Sequence, residues 1–366
     1  MINPIIMDAT VSDKTSLRRN YHNYILRKVL FIVILVACLF ICTGISLTLG
    51  SRNIGFFEAY GVLWDHIAGM EYATGTDEWW DDYIVWDVRL PRILVAVVVG
   101  GALAVCGAVI QSIVKNPLAD PYTTGISSGA IFGVAVAIAL GFVVVQGQGG
   151  NSGTVLNAFV FGLIPALVII VISRYRNSTS ATIILAGIAM SYMFSALCTL
   201  IMLTSSAEDL QSIYLWQIGS LENTTWGTVT VVGATTAVGA VLCMLLSNKL
   251  NVLSAGDSTA KSLGLDTEGL KTLCLLVISF MTASVVSYVG VIGFLGIVAP
   301  NIARIVLGSD NRYIIPASMA IGAAFLVFTD TISRLSLDVS MPVGVVMSMI
   351  GGPVFLLIIL FSKKGV

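Results

Sequence analysis

Arg89 and Arg92 are the first residues in this sequence whose type and spacing could do chemistry. They lie three apart in RLPR, at the entry to about 20 apolar residues. Three-residue spacing puts both guanidinium groups on one face of a helix. Cations at a helix start oppose the positive end of its dipole, so something must compensate them. Two readings fit: the side chains reach lipid phosphate, or they form a docking site for carboxylates on an external protein, where arginine offers a bidentate fork. Arg334 follows Asp330 by four residues, the spacing of an internal ion pair. The run GDSTAKS looks like a phosphate-binding loop but lacks the glycine before lysine. No nucleotide is assigned to it, so any ATP use belongs to another polypeptide. The six cysteines, Cys38, Cys42, Cys106, Cys198, Cys243 and Cys274, lie in apolar runs and suggest neither a zinc site nor a disulfide framework.

The elements that must position these groups are membrane spans. The chain is 57% hydrophobic and 11% charged over 366 residues, against about 25% charged in soluble domains. Apolar runs long enough to cross a hydrocarbon core of roughly 30 Å give ten spans, near 29–49, 91–114, 123–145, 154–173, 180–204, 228–247, 271–289, 291–307, 313–335 and 342–361. An even number puts both termini on one side. With that side cytoplasmic, it holds fifteen of the nineteen lysines and arginines, as the positive-inside rule requires. The four outside are Arg52, Arg89, Arg92 and Arg334. The span interiors contain almost no ionisable groups, which disfavours a proton- or sodium-coupled carrier. Net charge near zero gives no reason to expect nucleic acid.

Between the spans, four segments stand out. Residues 1–28 form a polar cytoplasmic tail expected to lack fixed structure, ahead of a first span too long for a signal-peptide core. Residues 50–88 form an external segment with eight acids and Trp79, Trp80 and Trp86, read either as a solvated loop with an aromatic belt or as a contact surface for an external partner. Residues 115–121 form a hinge, where Pro117 and Pro121 cannot continue a helix. Residues 250–270 form the longest cytoplasmic loop, able to make short amphipathic helices against a partner.

Together these motifs resemble the FecCD family of permease subunits from binding-protein-dependent ABC importers. The matching pieces are RLPR (89–92), Gly107 and Gln111, NPLADP (116–121), GISSGA (125–130), GVIGFLGIVAP (290–300) with Arg304, and MPVGVVMSMIGGPVF (341–355). The resemblance implies an all-α polytopic fold of ten helices, paired as a homodimer around a central path. It also implies two ATPase subunits on the cytoplasmic side, carrying ATP and Mg, and one external substrate-binding protein. This chain itself would bind no cofactor or metal and perform no catalysis.

The same resemblance assigns Arg89, Arg92 and Arg334 to binding-protein docking. Asn116, Leu118, Thr179 and Ser180 become a cytoplasmic gate, although Ser and Thr before a span are also ordinary caps. Gly256, Ala260, Lys261, Leu263 and Gly264 fall in the ATPase-coupling segment. Met190, Met193 and Ser195 are candidates for lining the path. Two departures are Asn301, where many members have histidine, and Ser340, where many have an acid. The expected substrate is a ferric siderophore or another chelated iron compound. Cobalamin is the alternative, with haem or an oxyanion behind it, and a stand-alone secondary carrier is the reading from a different class.

Overall fold

In a computed structural model of the chain, the described backbone comprises residues 4–50, 52, 54–145, 151–175, 180–335 and 341–361, with side chains described outside 4–21, 174–175 and 361. Fourteen α-helices make up these residues. They are α1 (Pro4–Thr48), α2 (Phe56–Ile67), α3 (Asp77–Tyr83), α4 (Leu90–Val114), α5 (Ile126–Leu140), α6 (Asn151–Tyr175), α7 (Ser180–Thr204), α8 (Ala207–Ile218), α9 (Trp226–Ser254), α10 (Asp257–Ser262), α11 (Thr267–Val289), α12 (Leu295–Leu307), α13 (Asn311–Leu335) and α14 (Val343–Phe361). Helices satisfy every backbone amide within the segment, which a hydrocarbon environment demands. Eight are long and apolar enough to cross a membrane, and α5 and α12 are shorter apolar helices. Each of the ten expected spans coincides with one of these helices.

The core forms around α4, which is apolar on all sides and buried along almost its whole length. It packs against α9, α11, α12 and α13. Small residues allow close backbone approach there. A Cβ on Gly100 would lie 2.3 Å from the Gly322 carbonyl oxygen, and one on Gly107 would lie 1.9 Å from that of Gly296. Larger side chains at these positions would separate α4 from α13 and α12.

Several boundaries differ from expectation, each for a local reason. The tail is helical from Pro4, continuous with the first span, so the expectation that it lacks structure is corrected. The second span does not start at Arg89. A helix begins at Asp77, capped by Thr76 Oγ1 accepting from Trp79 N at 3.3 Å, and reaches α4 through a π-helical turn over Ile84–Arg89. That wide turn lets Leu90 N donate to Val85 O just ahead of Pro91, whose ring would clash with the preceding turn of a regular helix. Residues 290–294 are not helical, and α12 starts only after Phe294, whose φ of 67° interrupts the run. The 250–270 loop shrinks to 255–266, because α9 continues to Ser254 and α11 begins at Thr267. Helices α2, α3 and α8 were not expected; they are short and of mixed polarity, which a search for apolar runs passes over.

Candidate functional site at the two polar ends of the bundle

At one end, where α1 finishes, the three candidate docking arginines are engaged inside the protein. Arg89 is 4% exposed. Its Nη1 donates to Leu47 O at 2.8 Å and Thr48 O at 3.1 Å, and its Nη2 to Arg52 O at 2.5 Å. These carbonyls belong to the C-terminus of α1 and the turn after it, where orphan acceptors and the negative end of the dipole favour a cation. Arg92 Nε donates to Asp330 Oδ1 at 2.9 Å, with Nη2 at 2.8 Å from the same oxygen. Arg334 Nε lies 3.2 Å from Asp330 Oδ2, and its Nη2 donates to Ser46 O at 3.1 Å and to Ser46 Oγ.

The compensation that Arg89 and Arg92 require therefore comes from α1 and from Asp330, not from a helix start of their own. The i,i+4 pair expected of Arg334 is present, and Asp330 serves two arginines at once. Arg92 and Arg334 keep 12% and 10% of their side chains exposed. Asp330 is the carboxylate that pairs with Arg92 and Arg334 here, while Asp81, close to Arg89, pairs with Arg52 at 2.6 Å.

The opposite end contains the hinge. Helix α4 stops at Lys115, which adopts left-handed geometry (φ 55°). Asn116 Oδ1 then accepts from Leu118 N at 2.9 Å, an Asx turn that leads into Pro117, while Leu118 points outward, exposed. Asn301 Nδ2 donates to Pro117 O at 2.9 Å, so the residue standing where histidine was expected fastens α12 to the hinge. A second tie is buried beneath it: Gln111 Nε2 donates to Gly296 O at 3.2 Å, and Arg304 Nη1 donates to Gln111 Oε1. Of the remaining gate candidates, Ser180 is the first residue of α7. Thr179 lies outside the described residues, as does Ser340.

Beside the hinge sits the candidate coupling segment. Gly256, with φ 126°, turns the chain into α10, and Gly264, with φ 80°, turns it out. Ala260 lies on the buried face of α10, whereas Lys261 and Leu263 face outward, Leu263 with 70% of its surface free. Asp257, the first residue of α10, accepts from Lys115 Nζ and Lys271 Nζ, each at 2.7 Å. One carboxylate thus joins the coupling helix to the first residue of the hinge and to α11. Burial would raise the Asp257 carboxyl, but the two lysine hydrogen bonds outweigh it and hold the group below its usual range. Close by, Asp310 takes Arg312 Nη2 at 2.6 Å and Asn251 Nδ2 at 2.7 Å, which bring its carboxyl down to about 2.

Reading the residues alone missed Asp257 and the roles of Asn251 and Asn301, with Asn301 standing out only as a departure from the family pattern. Asp257 stood in the discarded phosphate-loop lookalike, and its signal was an acid beside a hinge lysine that only the fold brings near. Met190 packs inward, while Met193 and Ser195 lie on the open face of α7.

Residues 34–361 match the FecCD transport family. The chain is similar to the hemin transport system permease of Yersinia pestis, 36% identical over 322 residues, covering 87% of this chain and 93% of that one. It is also similar to the cobalamin import system permease of Halobacterium salinarum, 38% identical over 274 residues, covering 75% and 72%. A solved inward-facing structure of a transporter assigned to the metal-chelate ABC type superposes with a TM-score of 0.78 at 28% identity, over 90% of this chain and 98% of that one. The chain belongs to the FecCD transport family, as the multi-pass cell-membrane permease of an ABC importer whose ATPase is a separate subunit.

Proposed function

We propose that this permease imports a ferric siderophore or another chelated iron compound, as a homodimer with two ATPase subunits beneath it and one binding protein above. The bias of lysine and arginine supports ten spans with both termini cytoplasmic. The hinge and α10 then face the cytoplasm, and Arg89, Arg92 and Arg334 face outward. The observation that carries the reading is the Lys115–Asp257–Lys271 bridge. It gives a push on α10 a short route to the Asn116–Leu118 hinge, so closure of the ATPases can switch access at the gate formed with Thr179 and Ser180. Gly256, Ala260, Lys261, Leu263 and Gly264 form the coupling contact, with the exposed Leu263 as its apolar knob.

On the outer face, the surplus of two cations over one carboxylate leaves Arg92 and Arg334 able to share a partner's acid, while Arg89 anchors the surface they stand on. The open face of α7 with Met193 and Ser195 is the proposed path and dimer side. Substrate choice rests with the separate binding protein, so the deciding experiment is titration of the binding protein that docks on this permease with ferric siderophores, haem and cobalamin. Tight binding of a ferric chelate supports the reading. Cobalamin preference replaces the substrate and keeps the mechanism; the similarity to the hemin and cobalamin permeases is what keeps both alternatives in view.

Arg92→Gln should weaken affinity for the binding protein in a permease that still assembles, and unchanged affinity in nanodiscs refutes the docking role; Arg89, held by the Leu47 and Thr48 carbonyls, is an anchor and not part of this test. Replacing residues 256–264 with a flexible linker should abolish transport without altering outer docking; retained transport refutes the coupling role.

A further inference from the structure

We infer that α2 lies in the membrane plane, with its aromatic face inserted at the boundary between headgroups and acyl chains of the leaflet into which α1 ends. Successive residues of a helix step by about 100°, which divides α2 into three sectors. Ala59, Val62 and Leu63 turn inward, onto a small core with Leu47, Ile54, Val85 and Ile93. Glu58 and Asp65 mark a polar sector, where Glu58 Oε2 accepts from Gly55 N at 2.9 Å and Asp65 Oδ2 from Tyr72 Oη at 3.0 Å. Between these sectors Phe56, Phe57, Tyr60, Trp64 and Ile67 share one arc, and all are exposed, Phe57 by 88% and Trp64 by 72%.

The height of this arc is fixed by α1. A Cβ on Gly44 would lie 2.5 Å from Tyr60 Oη and 3.6 Å from Phe56 Cε2. Gly44 is four residues before the end of α1, about 6 Å at the rise of a helix. The aromatic arc therefore sits at the level of the last turn of a membrane span, not above it. It also continues an apolar surface already facing lipid, since Phe40, Ile41 and Ile45 of α1 are exposed. Tryptophan and tyrosine favour that boundary because each combines an apolar body with a polar tip. An amphipathic helix with aromatic residues on one face and acids on another takes the same position. The occupant of this face is lipid, a conclusion that needs only the membrane-spanning fold and neither the substrate nor the docking assignment.

The test uses the full permease in nanodiscs, with Cys38 and Cys42 changed to alanine, the other four cysteines being buried. An environment-sensitive fluorophore is attached to Phe57→Cys and, as a control, to Ala73→Cys in the turn before α3. At position 57 we expect blue-shifted emission, quenching by lipid spin labels near the headgroup, and protection from iodide; position 73 should show the reverse. Iodide quenching at 57 equal to that at 73, without lipid quenching, overturns the proposal. So does protection at 57 that arises only on adding the binding protein, because the face then belongs to a protein contact. If Phe57→Cys does not assemble, Trp64→Phe in the unaltered cysteine background gives the same answer. Loss of part of the intrinsic-fluorescence quenching by shallowly brominated lipid supports insertion, and an unchanged quenched fraction contradicts it.

Discussion

The two polar ends of the bundle use the same chemistry with opposite consequences. At the arginine end, one carboxylate, Asp330, holds Arg92 and Arg334 where all three side chains are at most 12% exposed. At the lysine end, one carboxylate, Asp257, holds Lys115 and Lys271, yet Asp257 itself is 39% exposed and Lys115 30%. Water can replace Lys115 at the second site, where Lys271 stays buried at 2% exposure, and cannot enter the first. A buried charge pair resists separation because breaking it leaves an unpaired ion in a low dielectric, whereas an exposed pair can part and re-form. The arginine end is a fixed clamp joining α1, α4 and α13. The lysine end is a joint that can move while remaining connected.

This contrast can be broken most severely at Asp330. Asp330→Asn leaves two buried guanidinium groups without their carboxylate and should cost about 3–5 kcal/mol, read as a large fall in unfolding temperature in nanodiscs. A loss below about 1 kcal/mol would remove the clamp from the account. Next, Arg89→Ala strips donors from the carbonyls of Leu47 and Thr48, with an expected cost of about 1.5–3 kcal/mol. Protease resistance at the α1–α2 junction should fall with it.

At the other end, Asp257→Asn leaves Lys271, 2% exposed, without its charge partner. We expect a stability loss of about 1–3 kcal/mol with a larger defect in transport per ATP hydrolysed. Lys115→Ala should cost only about 0–1 kcal/mol and sharpens the comparison by leaving Lys271 paired. Loss of transport there with full stability would place the mechanical link at Lys115.

The last effect concerns pH. Asp310 titrates near 2 in the folded chain, below the ordinary aspartate value of about 3.9. A lowered folded pKa means that its contribution is complete above the unfolded value and is lost as pH falls from about 4 towards 2. Asp310→Asn should lower stability near neutrality, where the contribution is complete, and flatten its fall across that window.

Much of the fold was legible in sequence because the bilayer imposes a length and composition on each span, and every expected span meets a helix. The hinge was legible through Pro117 and Pro121 together with the polar residues that interrupt the apolar run there; a proline alone does not end a span, since Pro165, Pro300, Pro316 and Pro353 lie inside helices. What was not legible depended on contacts distant in sequence. Arg92 and Asp330 are 238 residues apart, and Lys115 and Asp257 are 142 apart. Nothing local shows that Arg89 would meet the end of α1, so its charge suggested an outside partner. Helices α2 and α8 escaped because mixed polarity over twelve residues is no span, though the aromatic spacing of α2 was visible once helical geometry was assumed.

The most direct test of the central claim is uptake by proteoliposomes containing this permease, its ATPase and its binding protein, with ATP inside and labelled ferric siderophore or cobalamin outside. The account predicts ATP-dependent accumulation of the ferric chelate that requires all three components and falls sharply with Asp257→Asn. Accumulation of cobalamin alone would overturn the substrate, and transport untouched by Asp257→Asn would contradict the coupling.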